Sequence, residues 1–174
     1  MSKSISSGLV STFGKDLFSY ALETLKDEPS LSEITTTTPT NVSEFQEKCM
    51  TIATLWRNQC VNNEAFQNKL KDEGVLMYCV QILKLYFDNE EEWTEHSSRK
   101  FVLVLFQTVA NAMTGNKAIQ IYLFEISDGV FFKEIIPKGL QQGKNMTNVA
   151  CMCIYNSIAK GNLAIEYVVL STLF

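Results

Sequence analysis

From residue 45 onward, apolar side chains return at Phe45, Cys49, Ile52, Trp56 and Cys60, in steps of four, three, four and four. That spacing puts them on one face of an α-helix. Asn41 or Ser43 can cap this helix, with Glu44 or Gln46 three residues on as the reciprocal partner. An earlier stripe, Leu9, Phe13, Leu17, Ala21 and Leu25, predicts a helix over residues 5–27 that Pro29 stops. A short helix is expected from Asn63 to about Lys71, and Gly74 then opens a third whose stripe includes Leu76, Val80, Leu83 and Phe87. The run FVLVLF, Phe101 to Phe106, would suit a buried strand by itself. Its pattern continues through Phe101, Leu105, Val109 and Ala112, beside a second row of Val102, Phe106, Val109 and Met113. Length therefore favours a helix from about Ser97 to Thr114, ended by Gly115. Further helices are predicted at Lys117–Ile126, at Gly129–Ile136 up to Pro137, at Asn145–Lys160 and at Leu163–Phe174. Residues 29–42, PSLSEITTTTPTNV, read as a Thr-rich loop, and DNEEEWTEH from Asp88 to His96 as an acidic one. No strand is required, so the expected fold class is all-α.

Composition agrees. Hydrophobic residues make up 46% and charged residues 20%, enough for a packed core, while eight glycines and three prolines give too little turn chemistry for an all-β fold. The net charge of −4 and the lack of any Lys/Arg run argue against nucleic acid as a partner. The first 28 residues mix Lys3, Lys15 and Lys26 with Asp16, Glu23, Asp27 and Glu28, unlike a signal or transit peptide. FVLVLF is too short to span a bilayer. A soluble, cytoplasmic protein with no membrane partner is expected. The five cysteines form no disulfide-framework spacing, and each has an apolar neighbour, as buried free thiols in a reducing compartment do.

Catalytic chemistry finds little support. Gly8 to Gly14-Lys15-Asp16 fails as a phosphate loop, since five residues separate the glycines and Asp16 stands where a Ser/Thr would hold magnesium. His96 is the single histidine, which excludes a multi-His zinc site, and no Gly-x-Ser-x-Gly elbow accompanies it. We expect it to be a solvated loop residue near a helix start. Cys151 and Cys153 lie two apart on a helix and would not chelate together; core packing is their expected role. Asp88, Glu90, Glu91, Glu92 and Glu95 lack the glycine and ligand alternation of a calcium loop and read as a solvated charge run on which a basic partner could dock. No catalytic, cofactor-binding or metal-binding residue is expected, and no cofactor.

The chain does repeat itself. Asn58, Asn63 and Gln67 return as Asn111, Asn116 and Gln120, all 53 residues later, and Ala65/Ala118 and Leu70/Leu123 share that offset. Asn156 and Asn162 form a looser third copy, 45 residues on from Asn111 and 46 from Asn116. A fixed offset between residues at the same helix junction marks stacked repeats.

Leu55-Trp56-Arg57-Asn58, Asn63, Gln67-Asn68 and Gly74, followed by Val109-Ala110-Asn111, Asn116, Gln120 and Gly129, resemble the armadillo-repeat family. In that family a long third helix ends in Leu-x-Asn, Asn-x-x-x-Gln/Asn opens the next repeat, and a glycine precedes its second helix. WRNQCVNNEAFQNKL, TVANAMTGNKAIQ and VACMCIYNSI are similar, more narrowly, to the ataxin-10 family. The resemblance covers about residues 45–174. It implies an armadillo-like right-handed superhelix of stacked helical repeats, one domain over 1–174, with an N-terminal helix at 1–28, the loop at 29–42 and repeats at 43–174, the N-terminal part of a longer array. It also implies a non-catalytic protein-interaction scaffold with roles in cytokinesis, cilia or neurite growth. Import receptors of the armadillo type carry Trp four residues before the ladder Asn; here Thr54, Gln107 and Met152 stand there.

At ~100° per residue, Asn58 lies about 200° from Trp56, off the apolar stripe. Its own row holds Thr51 and Thr54; Gln107 lies with Asn111, and Asn148 and Met152 with Asn156. By resemblance these eight residues line a concave groove. Each amide either bonds backbone at a repeat junction or holds a bound chain, and the first is expected because buried amides usually bond within their own fold. The alternative function is a small helical enzyme of unrecognised type, which would show a cleft with several perturbed titrating groups. The helix Leu163–Phe174, carrying Ile165, Val168, Val169, Leu173 and Phe174, has little polar face and is expected to be covered, by further repeats or in a homo-oligomer.

Overall fold

The computed structural model describes residues 42–90 and 96–158. The helix predicted over residues 5–27, the loop predicted from residue 29 up to residue 41, most of the acidic segment and the helix predicted at Leu163–Phe174 lie outside the described residues. Seven α-helices are described: α1 Val42–Gln59, α2 Glu64–Asp72, α3 Val75–Asp88, α4 His96–Ala112, α5 Lys117–Glu125, α6 Ile136–Leu140 and α7 Lys144–Ile158. A 3-10 turn at Ile126–Gly129 and a π turn at Phe131–Ile135 join α5 to α6. There is no strand among the described residues, and the fold is all-α.

The apolar stripes become the packed faces. Cys49, Ile52, Trp56 and Cys60 on α1 are buried, as are Leu76, Val80, Leu83 and Phe87 on α3. Both rows of α4 are buried too, which makes it the central helix. α4 packs against α1, α3 and α7, so the three long helices α1, α4 and α7 lie side by side in chain order, while α2 packs on α5 in a second row. Each fully buried Leu, Ile, Val or Phe stabilises by roughly 1.5–3 kcal/mol relative to exposure. Phe87, Phe106, Phe131 and Phe132 form an edge-to-face series with ring centroids 5.3 to 6.2 Å apart. Gly139 of α6 sits directly against the Phe106 ring, where a Cβ would come within 2.9 Å of Cε1.

The short helices start for a local reason. The carboxamide oxygen of Asn63 accepts the Phe66 N–H at 3.1 Å, and that of Asn116 accepts the Ile119 N–H at 3.2 Å, each an N-cap. Gly74, at φ +77, turns the chain from α2 into α3.

Several expectations need correction. Ser43 lies inside α1 and is not its cap; Asn41 lies outside the described residues. Pro137 does not stop a helix but occupies the first turn of α6, where its missing N–H is tolerated. The helix expected at Gly129–Ile136 is instead a 3-10 turn followed by a π turn. Ser127, Asp128 and Gly129 all have positive φ, a left-handed sequence that ends α5 and reverses the chain. Asp88 is the last residue of α3, and His96 is the exposed first residue of α4 rather than a loop residue. Cys151 is exposed rather than packed in the core.

Candidate functional site

Two rungs of side-chain hydrogen bonds tie the long helices together. On the first, Asn111 Nδ2 of α4 donates to the Arg57 carbonyl of α1 at 2.9 Å. On the second, Asn156 Nδ2 of α7 donates to the Ala110 carbonyl of α4 at 3.1 Å and to Thr114 Oγ1 at 2.8 Å. Arg57 and Ala110 are equivalent under the 53-residue offset, so the same bond is made twice. A buried glutamine completes each rung. Gln67 Nε2 donates to the Cys60 carbonyl at 2.8 Å and the Asn111 carbonyl at 3.2 Å. Gln120 Nε2 repeats this toward the Met113 carbonyl at 3.0 Å and the Asn156 carbonyl at 2.9 Å. These carbonyls sit in the last turn of a long helix or just past it, where the regular helical ladder ends and Cys60, Asn111 and Met113 keep only turn bonds from the N–H groups of Asn63, Thr114 and Asn116. The glutamines therefore act as C-terminal caps supplied by the following short helix. Asn116 Nδ2 closes the first rung on Gln67 Oε1 and Asn68 Oδ1, both at 3.1 Å.

The amides consequently differ in what they offer to solvent. Asn111 and Asn156 are half-buried and their donors are engaged inside the fold. Asn58 behaves otherwise: it is exposed, and its Oδ1 accepts from Arg57 Nε and Nη2, both at 3.1 Å. The same guanidinium donates through Nη1 to Gln107 Oε1 at 3.1 Å, bridging α1 and α4 on this face. Thr51 is exposed with its hydroxyl on the Glu47 carbonyl at 2.9 Å, Thr54 and Gln107 are half-buried, and Asn148 and Met152 are exposed on α7. Val104, in the same row of α4, is buried, so the middle of the row is closed to solvent there. On α7 the face widens: Met152 is 44% and Tyr155 71% exposed, with Cys151 beside them in sequence.

Sequence reasoning found the repeated asparagines and glutamines but gave no role to four side chains. Arg57 is the bridge between helices, Gln67 and Gln120 are buried caps, and Thr108 is buried with its hydroxyl on the Val104 carbonyl at 2.9 Å. The shared offset of Gln67 and Gln120 was the available signal. A polar side chain that returns at a fixed period is more informative about junctions than about ligands.

The titrating groups follow from packing. Burial pushes the Cys49 and Cys60 thiols up to about 12, and raises Cys79 and Cys153 further, so all four stay protonated. Asp88 is not a free acidic charge: it meets Lys138 Nζ at 2.6 Å and Lys84 Nζ at 2.9 Å, and Lys84 reaches Glu134 at 2.7 Å. Glu90 accepts from Gln142. The acidic segment thus pairs within the fold at both residues that are described in this respect. No group of His, Cys, Asp and Glu among the described residues is arranged to hold a metal ion, and no helix among them is long and apolar enough to cross a membrane. The chain matches no protein-family model, no curated protein and no solved structure.

Proposed function

We propose that this protein is a non-catalytic, cytoplasmic protein-interaction scaffold, an armadillo-like right-handed superhelix, with partners that are other proteins docking along the face of α1, α4 and α7. Its roles follow the resemblance to the ataxin-10 family: cytokinesis, cilia or neurite growth through partners. The observation that carries this reading is the repeated rung, Asn111 on the Arg57 carbonyl and Asn156 on the Ala110 carbonyl. A stack joined by identical bonds presents equivalent side chains at regular intervals along one face, as solenoid binding surfaces do.

Engaged donors do not bind ligands, so the half-buried Asn111 and Asn156 set the spacing while the exposed members carry the contact. Those are Thr51, Asn58, Asn148 and Met152, with Tyr155 as the large aromatic anchor that interfaces favour. The test is capture of partner proteins by the intact chain compared with a variant carrying Asn148→Arg and Met152→Glu. Loss of capture by a folded variant supports the scaffold; retention contradicts it.

A further inference from the structure

The guanidinium of Arg57 sets the chemistry of the junction between α1 and α4. It can only donate, so the carboxamides beside it must turn their oxygens toward it. Asn58 Oδ1 accepts from Nε and Nη2, and Gln107 Oε1 accepts from Nη1, all at 3.1 Å. Asn58 Nδ2 and Gln107 Nε2 are thereby turned away from the guanidinium, and neither donates to an acceptor among the described residues. Of the five guanidinium N–H groups, those three bonds leave two unused. No carboxylate pairs with Arg57 among the described residues, whereas Lys71, Lys84 and Lys138 each have one. The cluster therefore offers donors alone, with one positive charge.

Its match is an anion that only accepts. A carboxylate does so with a single charge, equal to that of one guanidinium. A phosphoryl group brings about −1.5 to −2 and is met by clusters of arginines instead. Glu47 and Lys100, exposed further along the same rows of α1 and α4, carry one charge of each sign and offset one another. The junction between α4 and α7 lacks the feature. Under the repeat, Ala110 stands for Arg57 and Met152 for Gln107; Ala110 is buried and Met152 is 44% exposed, so this junction is apolar. Packed helices lie about 8–10 Å apart and an extended chain advances about 3.3 Å per residue. A strand crossing both junctions would meet them about three residues apart.

On the reading of α1, α4 and α7 as a protein-docking face, we propose that it receives an extended acidic segment of a partner protein. One Asp or Glu carboxylate sits on Arg57, Asn58 and Gln107, and an apolar residue about three positions along meets Met152. The experiment selects a display library of random dodecapeptides on the full chain and on Asn58→Asp. That substitution supplies the guanidinium with a carboxylate from within, at an exposed position that the fold tolerates. Peptides held by the natural chain should carry Asp or Glu with an apolar residue about two to four positions away, and those held by Asn58→Asp should show no acidic preference. In one enriched peptide, replacing the acidic residue by its amide should weaken binding about tenfold on the natural chain and less than about twofold on Asn58→Asp. Should Asn58→Asp fail to fold, Arg57→Met takes its place with the same readout. Selection without acidic preference, a preference that the variant keeps, or a phosphoserine that binds at least about tenfold tighter than Glu overturns the acidic occupant and leaves the docking face standing. No enriched peptide, or peptides that Asn148→Arg with Met152→Glu holds as well as the natural chain, overturns the docking face along with it.

Discussion

Asn111 reaches across from one long helix and donates its side-chain amide to the Arg57 carbonyl of the helix before it, at 2.9 Å. Asn156 makes the equivalent bond to Ala110. Replacing Asn111 by Ala strands the Arg57 carbonyl at the C-terminal end of α1 and is expected to cost roughly 1–3 kcal/mol. Urea unfolding of Asn111→Ala measures this directly. An unchanged midpoint would remove the rung from the account of how the helices are joined.

Gly139 allows a second test. It lies within α6, where Ala would normally stabilise by roughly 0.5–1 kcal/mol. Here a Cβ would meet Phe106 Cε1 at 2.9 Å and Ala150 Cβ at 3.3 Å, and the Phe106 ring is fully buried beside Phe87 and Phe131. Overpacking should win, so Gly139→Ala is expected to destabilise by about 1–3 kcal/mol. A raised melting temperature would show that Phe106 can move aside.

The organisation of the core was legible in the sequence, and the reason is periodicity. The stripe through Trp56 and the double row of α4 each faced the core as their spacing required, and the 53-residue offset marked both junctions before any geometry was known. The α5 to α6 connection was not legible. Ser127 and Asp128 adopt a left-handed conformation that L-residues other than glycine seldom take, and the π turn that follows breaks the 3.6-residue period on which the helix at Gly129–Ile136 was predicted. The candidate groove was half legible. A row of polar residues locates a face, but only the neighbouring carbonyls decide whether an amide such as Asn111 faces solvent or, unlike Asn58, is engaged within the stack.

Thiol chemistry separates the cysteines. Cys151 is exposed, while Cys49, Cys60, Cys79 and Cys153 are buried and held protonated. Of the five thiols, one should react rapidly with a disulfide reagent at about pH 8, and the other four only in denaturant. Two or more fast equivalents would contradict the burial.

The Lys84, Asp88, Glu134 and Lys138 cluster predicts a shallow pH dependence. Lys138, then Lys84, hold the Asp88 carboxyl below its ordinary value, and Glu134, then Asp88, raise Lys84. A depressed carboxylate stabilises above its unfolded value of about 3.9 and loses that contribution as pH falls through the folded value. A raised lysine stabilises below about 10.4 and loses its contribution as pH rises through the folded value. The contribution is thus level between about pH 5 and 9. All these side chains are more than a third exposed, so Lys84→Met should cost less than about 1 kcal/mol at neutral pH. The difference should shrink in about 1 M salt and at about pH 2. A larger cost that salt leaves unaltered would mean that Lys84 acts by packing.

The scaffold proposal is tested most directly by measuring capture and stability on the same preparations. The intact chain, Asn148→Arg with Met152→Glu, and Asn111→Ala are each immobilised, exposed to cell extract, and their bound proteins quantified beside a thermal unfolding curve. Asn148 and Met152 are exposed on α7, so the double variant should melt with the natural protein yet lose at least about tenfold of the specifically retained partners. Asn111→Ala should melt earlier and, below its transition, retain them. Partners held equally by the intact chain and the double variant, at equal melting temperature, would contradict the assignment of this face as the binding surface.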